Sequence, residues 1–264
     1  MNAIKMHDGN KLFDENGRCI PKNINSPVNT ETRRYFIFES RTINYNHIYD
    51  QIKKHLDPKT ELTIEEFETR SKKIITNLQK NPLTENITKG VGVPFFLPKK
   101  NYSDIGTDLV NHYIKALEKS FHETNPKYEF VNHCKHDLSN QLKVVPNSRH
   151  EKLLKSMQED VVVGYYYPCL MEYSLPAAIE SINNLPNQFL LAGGFDTCSA
   201  FIGSPNLLLR ENGYPPLLWM TALKSNGEDI GYHIEAYGYN LTFNRRAHLK
   251  LAAEYWSHAL VILG

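Results

Sequence analysis

The feature that most restricts the fold of this chain is a change of character near Asp160. Upstream, apolar residues recur at three- and four-residue spacing between charged ones, the mark of helices that bury one stripe. Downstream, Val161-Val162-Val163-Gly164-Tyr165-Tyr166-Tyr167 opens a series of short β-branched and aromatic runs punctuated by Gly, Pro and Asn, the mark of buried strands. One-sided helices need a surface to cover, and continuous apolar strands need covering. The two halves together therefore predict an α+β protein: a mixed or antiparallel sheet in the C-terminal half flanked by helices, and a mainly helical N-terminal half. The expected division is a helical region with an N-terminal hairpin over 1–160 and an α+β region over 161–264, which can also form one continuous domain.

The helical half has clear local signals. Asp14-Glu15-Asn16-Gly17 between Leu12-Phe13 and Cys19-Ile20 predicts a hairpin. Thr63 with Glu66 three residues on is a capping box that opens a helix running to Leu78. Ile105, Leu109, Val110, Tyr113, Ile114, Leu117 and Phe121 form one stripe of a longer helix. A last helix is expected over 244–263, from the spacing of Leu249, Ala252, Tyr255 or Trp256, Ala259 and Leu263.

Chemistry concentrates between Phe189 and Phe243. Leu190-Leu191-Ala192 followed by Gly193-Gly194 reads as a strand entering a tight turn, and Asp196 or Thr197 is suited to cap a helix beginning near Cys198. A thiol in a first helical turn faces unpaired backbone N–H groups and the positive end of the helix dipole, which favour thiolate and can hold an oxyanion. Further on, Leu217 to Leu223 and Ile230 to Phe243 read as hairpin strands about Ser225-Asn226-Gly227-Glu228. The period of two places His233, Glu235, Tyr237 and Tyr239 on one face. His233 is the candidate base for Cys198, with Glu235 or Asp196 orienting its imidazole.

Cys198-Ser199-Ala200-Phe201-Ile202-Gly203, followed by Tyr232-His233-Ile234-Glu235-Ala236, resembles the bacterial Cys-His glutamine deamidase toxins of the cytotoxic necrotizing factor and Burkholderia lethal factor type. In that family the Cys follows Gly directly, whereas Phe195-Asp196-Thr197 intervene here. The resemblance implies a cysteine-dependent hydrolase or glutamine deamidase acting on an amide of a host protein, and a bacterial effector or toxin as its setting.

Other classes are disfavoured. Thirty basic against twenty-nine acidic residues leave a net charge of +1, so no bulk field draws nucleic acid. Gly193-Gly194 lacks the remainder of a phosphate-binding loop, and no Gly-x-Ser-x-Gly occurs; no cofactor is expected. His133-Cys134-Lys135-His136-Asp137 holds metal-binding residue types, but neighbours on one loop rarely converge on an ion, and a polar loop is the expectation. No run approaches the roughly twenty apolar residues of a membrane span. These features predict a soluble chain, cytoplasmic or acting in a host cytosol. The four scattered cysteines read as free thiols. The alternative to an enzyme is a non-catalytic protein-binding module with a surface rich in tyrosine, from Tyr165, Tyr166, Tyr167, Tyr214, Tyr232, Tyr237 and Tyr239.

Overall fold

The computed structural model describes residues 11–29, 35–135, 137–226 and 229–264. Its helices are α1 (Tyr45–His55), α2 (Ile64–Gln79), α3 (Ile105–Asp108), α4 (Lys115–Thr124), α5 (Glu151–Glu159), α6 (Leu175–Ser181) and α7 (Gly194–Gly203). Its strands are β1 (Val93–Leu97), β2 (Phe130–Asn132), β3 (Leu142–Val144), β4 (Val162–Met171), β5 (Phe189–Leu191), β6 (Leu217–Trp219), β7 (Leu223–Ser225), β8 (Gly231–Tyr237), β9 (Asn240–Arg246) and β10 (Trp256–Leu263). The protein is α+β, with most strands in the C-terminal half and most helices before them. Among the described residues no helix is long and apolar enough to cross a membrane.

An eight-stranded mixed sheet in the order β1-β4-β10-β6-β8-β9-β2 forms the frame, and β3 pairs with β7 in a separate ribbon. On its side away from β4, β10 is shared: its first half pairs in parallel with β6, its second half antiparallel with β5. Both β1 and β2 enter this sheet from before Asp160, and a single hydrophobic cluster draws residues from Ile48 to Val261. The helical and strand-rich stretches therefore share a core. Opposite Ala259 the β4–β10 register shifts by one residue, at Pro168-Cys169, where proline has no N–H to give the ladder.

The Thr63–Glu66 capping box is in place: the Thr63 hydroxyl accepts from the Glu66 N–H and the Glu66 carboxylate accepts from the Thr63 N–H. The long stripe from Ile105 to Phe121 is also helical, but Leu109–Ile114 between α3 and α4 is wound as a π-helix. The expected strand over 230–243 is a hairpin, turning at Gly238 with φ +62°. The Asn226-Gly227-Glu228 turn lies partly outside the described residues.

The expected C-terminal helix is a correction. β9 continues to Arg246, His248 adopts a positive φ of 63°, and Trp256–Leu263 is a strand. Every residue from Trp256 to Ile262 is buried. A helical stripe needs an exposed side, and this run, flanked by strands on both edges, has none.

Candidate functional site

Helix α7 begins earlier than the spacing predicts, and this decides what Cys198 can do. Gly193 occupies the cap position and Gly194 the first helical one. The Asp196 carboxylate reaches back to accept the Gly193 N–H, at 2.9 and 3.0 Å to its two oxygens. Asp196 is thus the third helical residue and Cys198 the fifth. Only the first few N–H groups of a helix lack partners, so Cys198 has passed the stretch where a thiolate or oxyanion gains from them. The whole of α7 is buried, packed against β1, α1 and α4. Cys198 is 0% exposed within the large apolar cluster. Burial, and then the nearby Asp196 carboxylate, push its thiol well above the ordinary range, which is opposite to what a nucleophile requires.

The second half of the predicted pair lies elsewhere. On β8, Tyr232 and Ile234 point into the cluster that holds Cys198. His233 between them must point to the other face of the sheet. There it stands across from Trp219, with ring centroids 4.9 Å apart, and Trp219 in turn packs against Trp256 and His258. The expected Cys198–His233 encounter is therefore a second correction: thiol and imidazole are separated by the sheet itself.

The structure does bring His233 and Glu235 together, as the period of two predicts. Nε2 lies 3.3 Å from a Glu235 carboxylate oxygen, and the Arg246 guanidinium is 3.9 Å from the same oxygen. Burial holds the His233 pKa below its usual value against the opposing pull of Glu235. The ring is neutral at pH 7, so Nε2 carries the proton and donates it to the carboxylate. His233 in turn holds Glu235 below the ordinary carboxylate range, assisted by Arg246. Nδ1 is buried without a hydrogen-bond partner among the described residues. With the ring 0% exposed, this lone pair has no route to a solvent-borne substrate.

Asp196 lies near a different imidazole, that of His150. His150 abuts the start of α7: a Cβ on Gly193 would come within 2.4 Å of His150 Nε2, and its Nδ1 lies 3.1 Å from the Leu191 carbonyl oxygen. Burial raises the Asp196 pKa and His150 works against that rise. No periodicity flags His150, because it precedes α5 in a turn where Arg149 takes a positive φ of 62°. His258 is a further buried imidazole, with Nδ1 2.7 Å from the Thr221 hydroxyl and Nε2 2.9 Å from the Tyr173 carbonyl oxygen. In the loop that contains His133 and Cys134, Cys134 is buried and Asp137 caps Ser139; His136 lies outside the described residues.

The tyrosines divide sharply. Tyr165, Tyr166, Tyr167 and Tyr232 are core residues, a correction to the surface expected of them. Tyr214 and Tyr237 are exposed at 57% and 80%, and Tyr35 joins Tyr214 at 53%. Phe36 bridges to Tyr214 in parallel, and its ring lies 5.8 Å from Tyr255. The Tyr35 and Tyr214 rings are 5.3 Å apart, and Arg246 sits 5.5 Å above Tyr255. The result is a continuous aromatic ridge, Tyr35-Phe36-Tyr214-Tyr255, ending on a guanidinium. At the β8–β9 turn, Tyr239 stacks on Tyr128 beside the exposed Tyr237.

Comparison of the chain with protein-family models, with curated proteins and with solved structures found no match.

Proposed function

We propose that this chain is a non-catalytic protein-binding module that docks partners on the Tyr35-Phe36-Tyr214-Tyr255 ridge. The observation that carries the reading is the pairing of two more than half-exposed tyrosines, Tyr35 and Tyr214, over aromatic neighbours that hold them in place. Aromatic rings kept in water by a rigid bed are costly as idle surface and strong as contact anchors, since they lose little side-chain freedom on binding. Arg246 at the end of the ridge, and exposed His248 and Lys250 in the loop beyond it, favour a partner segment that carries carboxylates beside apolar side chains.

Cysteine-dependent hydrolysis or glutamine deamidation, the reading that the Cys198 and His233 pattern invites, lacks geometric support. It requires a reachable thiolate beside a base; the thiol is sealed, its pKa is raised, and the imidazole faces away.

The test is selection of a random peptide library on the immobilised chain, followed by anisotropy titration of the enriched peptides. The expected peptides are acidic with apolar anchors, and Tyr214→Ala weakens them about tenfold or more, as for an interface anchor. Enriched peptides that are basic, or that bind Tyr214→Ala and Tyr35→Ala as tightly as the native chain, would remove the ridge as the docking surface.

A further inference from the structure

A cavity of about 430 Å³ opens between the start of α1, the residues leading into β1 and the turn after α7. That size falls in the range of small-molecule sites. Its lining holds one carboxylate, Glu39, and one guanidinium, Arg41. The carboxylate is already matched: Arg210, only 10% exposed and outside the lining, brings its Nε to 3.3 Å from it. Arg41 is not. One of its terminal nitrogens donates to the Leu209 carbonyl oxygen at 2.7 Å, and among the described residues no carboxylate pairs with it. That single bond to a neutral acceptor positions the guanidinium, leaves its charge in place and keeps most of its five N–H donors for another group.

The first turn of α1 adds field of the same sign. Asn44, Tyr45, His47 and Ile48 all line the cavity, and the Asn44 side chain accepts the His47 N–H. The leading N–H groups of a helix have no partner within it, and they give its start a partial positive charge. An acidic side chain in that turn would offset the charge, and α1 carries none there. Apolar surface lies in the same space, where Ile43, Tyr45, Ile75 and Val91 are half-buried and so within reach of a ligand. The cavity thus joins one unmatched cation to a hydrocarbon wall.

We infer that this cavity binds a small organic anion, its carboxylate on Arg41 beside the first turn of α1 and its apolar body against Ile43, Tyr45, Ile75 and Val91. The site is separate from the aromatic ridge, none of whose residues lines the cavity, so either can fail without the other.

Benzoate is a suitable probe, followed by amide chemical-shift titration of the full chain, with benzamide and benzylamine as its neutral and cationic counterparts. The expected result is saturable benzoate binding of about millimolar affinity for a fragment this small, tighter than that of either counterpart, with shifts centred on Arg41 and on Tyr45 to Ile48. Arg41→Gln keeps a donor for the Leu209 carbonyl and removes the charge. It should weaken benzoate about tenfold, the loss of one charge-assisted contact, with the thermal melt unchanged. Arg41→Lys, which keeps the charge and loses the fork, should fall between the two. Absence of saturable binding, a benzamide or benzylamine affinity equal to that of benzoate, or undiminished benzoate binding in Arg41→Gln would overturn the inference. Shifts centred on Tyr214 and Arg246 would also overturn it, by assigning the anion to the ridge.

Discussion

The two faces of the main sheet bury polar side chains in different ways. On the face under α7, the thiol of Cys198 sits among Phe, Leu and Ile, with no hydrogen bond among the described residues that would favour its ionised form. On the opposite face, His233 and His258 line up beside Trp219 and spend three of their four ring nitrogens on partners, namely Glu235, Thr221 and the Tyr173 carbonyl. The first face uses cysteine as a small hydrophobe. The second packs hydrogen-bonded imidazoles against the Trp219 indole. A nucleophile and its base must share a cavity, and these residues share only a sheet.

The largest expected effect falls on the imidazole face. Trp219 is fully buried against Trp256, His233 and His258, so Trp219→Ala should cost about 3–5 kcal/mol in denaturant unfolding. A change below about 1 kcal/mol would mean that this face is loosely packed and that the contrast between the faces is false.

Acid should next separate the two faces. Burial lowers the His258 pKa from 6.5 to about 4. A lowered folded-state value means that the unfolded chain binds the proton first. The stabilising contribution is thus complete above about pH 6.5 and is lost as pH falls toward about 4, by up to about 3 kcal/mol. The His258→Phe variant should flatten this part of the pH–stability curve, whereas Cys198→Ala should leave its shape unaltered. A curve equally steep in His258→Phe would assign the acid sensitivity elsewhere.

Smaller effects sharpen the comparison. Glu235→Gln keeps the shape of the side chain and removes the charge that His233 and Arg246 face. A loss of about 1 kcal/mol is expected, and the His233 pKa, followed by NMR, should fall further because its favourable partner is gone. A rise would place the carboxylate wrongly. At the rim, Tyr237→Ala should change stability by less than about 0.5 kcal/mol, since this ring is 80% exposed; a larger loss would make that tyrosine part of the core.

Much of the architecture was legible because it rests on local rules. The capping box at Thr63, the stripe from Ile105 to Phe121 and the alternation that pairs His233 with Glu235 all follow from spacing along the chain. Errors arose where a local pattern had two solutions. Residues 249–263 satisfy a helical stripe, yet they also contain an unbroken buried run, and only the neighbours β4 and β6 select the strand. Asp196 is a good cap in either of two registers, and the Gly193 N–H that it binds chose the earlier one. The candidate site failed for a related reason. Alternation says which residues share a face of one strand but not which face meets α7, so His233 was placed correctly beside Glu235 and wrongly beside Cys198. Similarly, tyrosine count says nothing of exposure: Tyr165, Tyr166 and Tyr167 lie in a strand with neighbours on both sides, while Tyr214 lies in a loop.

The central claim is that the thiol of Cys198 is sealed and unreactive, and that the imidazole of His233 cannot reach it. Timed alkylation of the native protein with iodoacetamide at pH 7.5, with each cysteine followed by peptide mass spectrometry, tests this most directly. The account predicts that Cys198 stays unmodified while the protein is folded, reacts no faster than Cys19, whose pKa is raised to about 12, and becomes labelled on denaturation. Rapid modification of Cys198 ahead of Cys19, slowed in His233→Ala, would contradict it and return the pair to the centre of an active site.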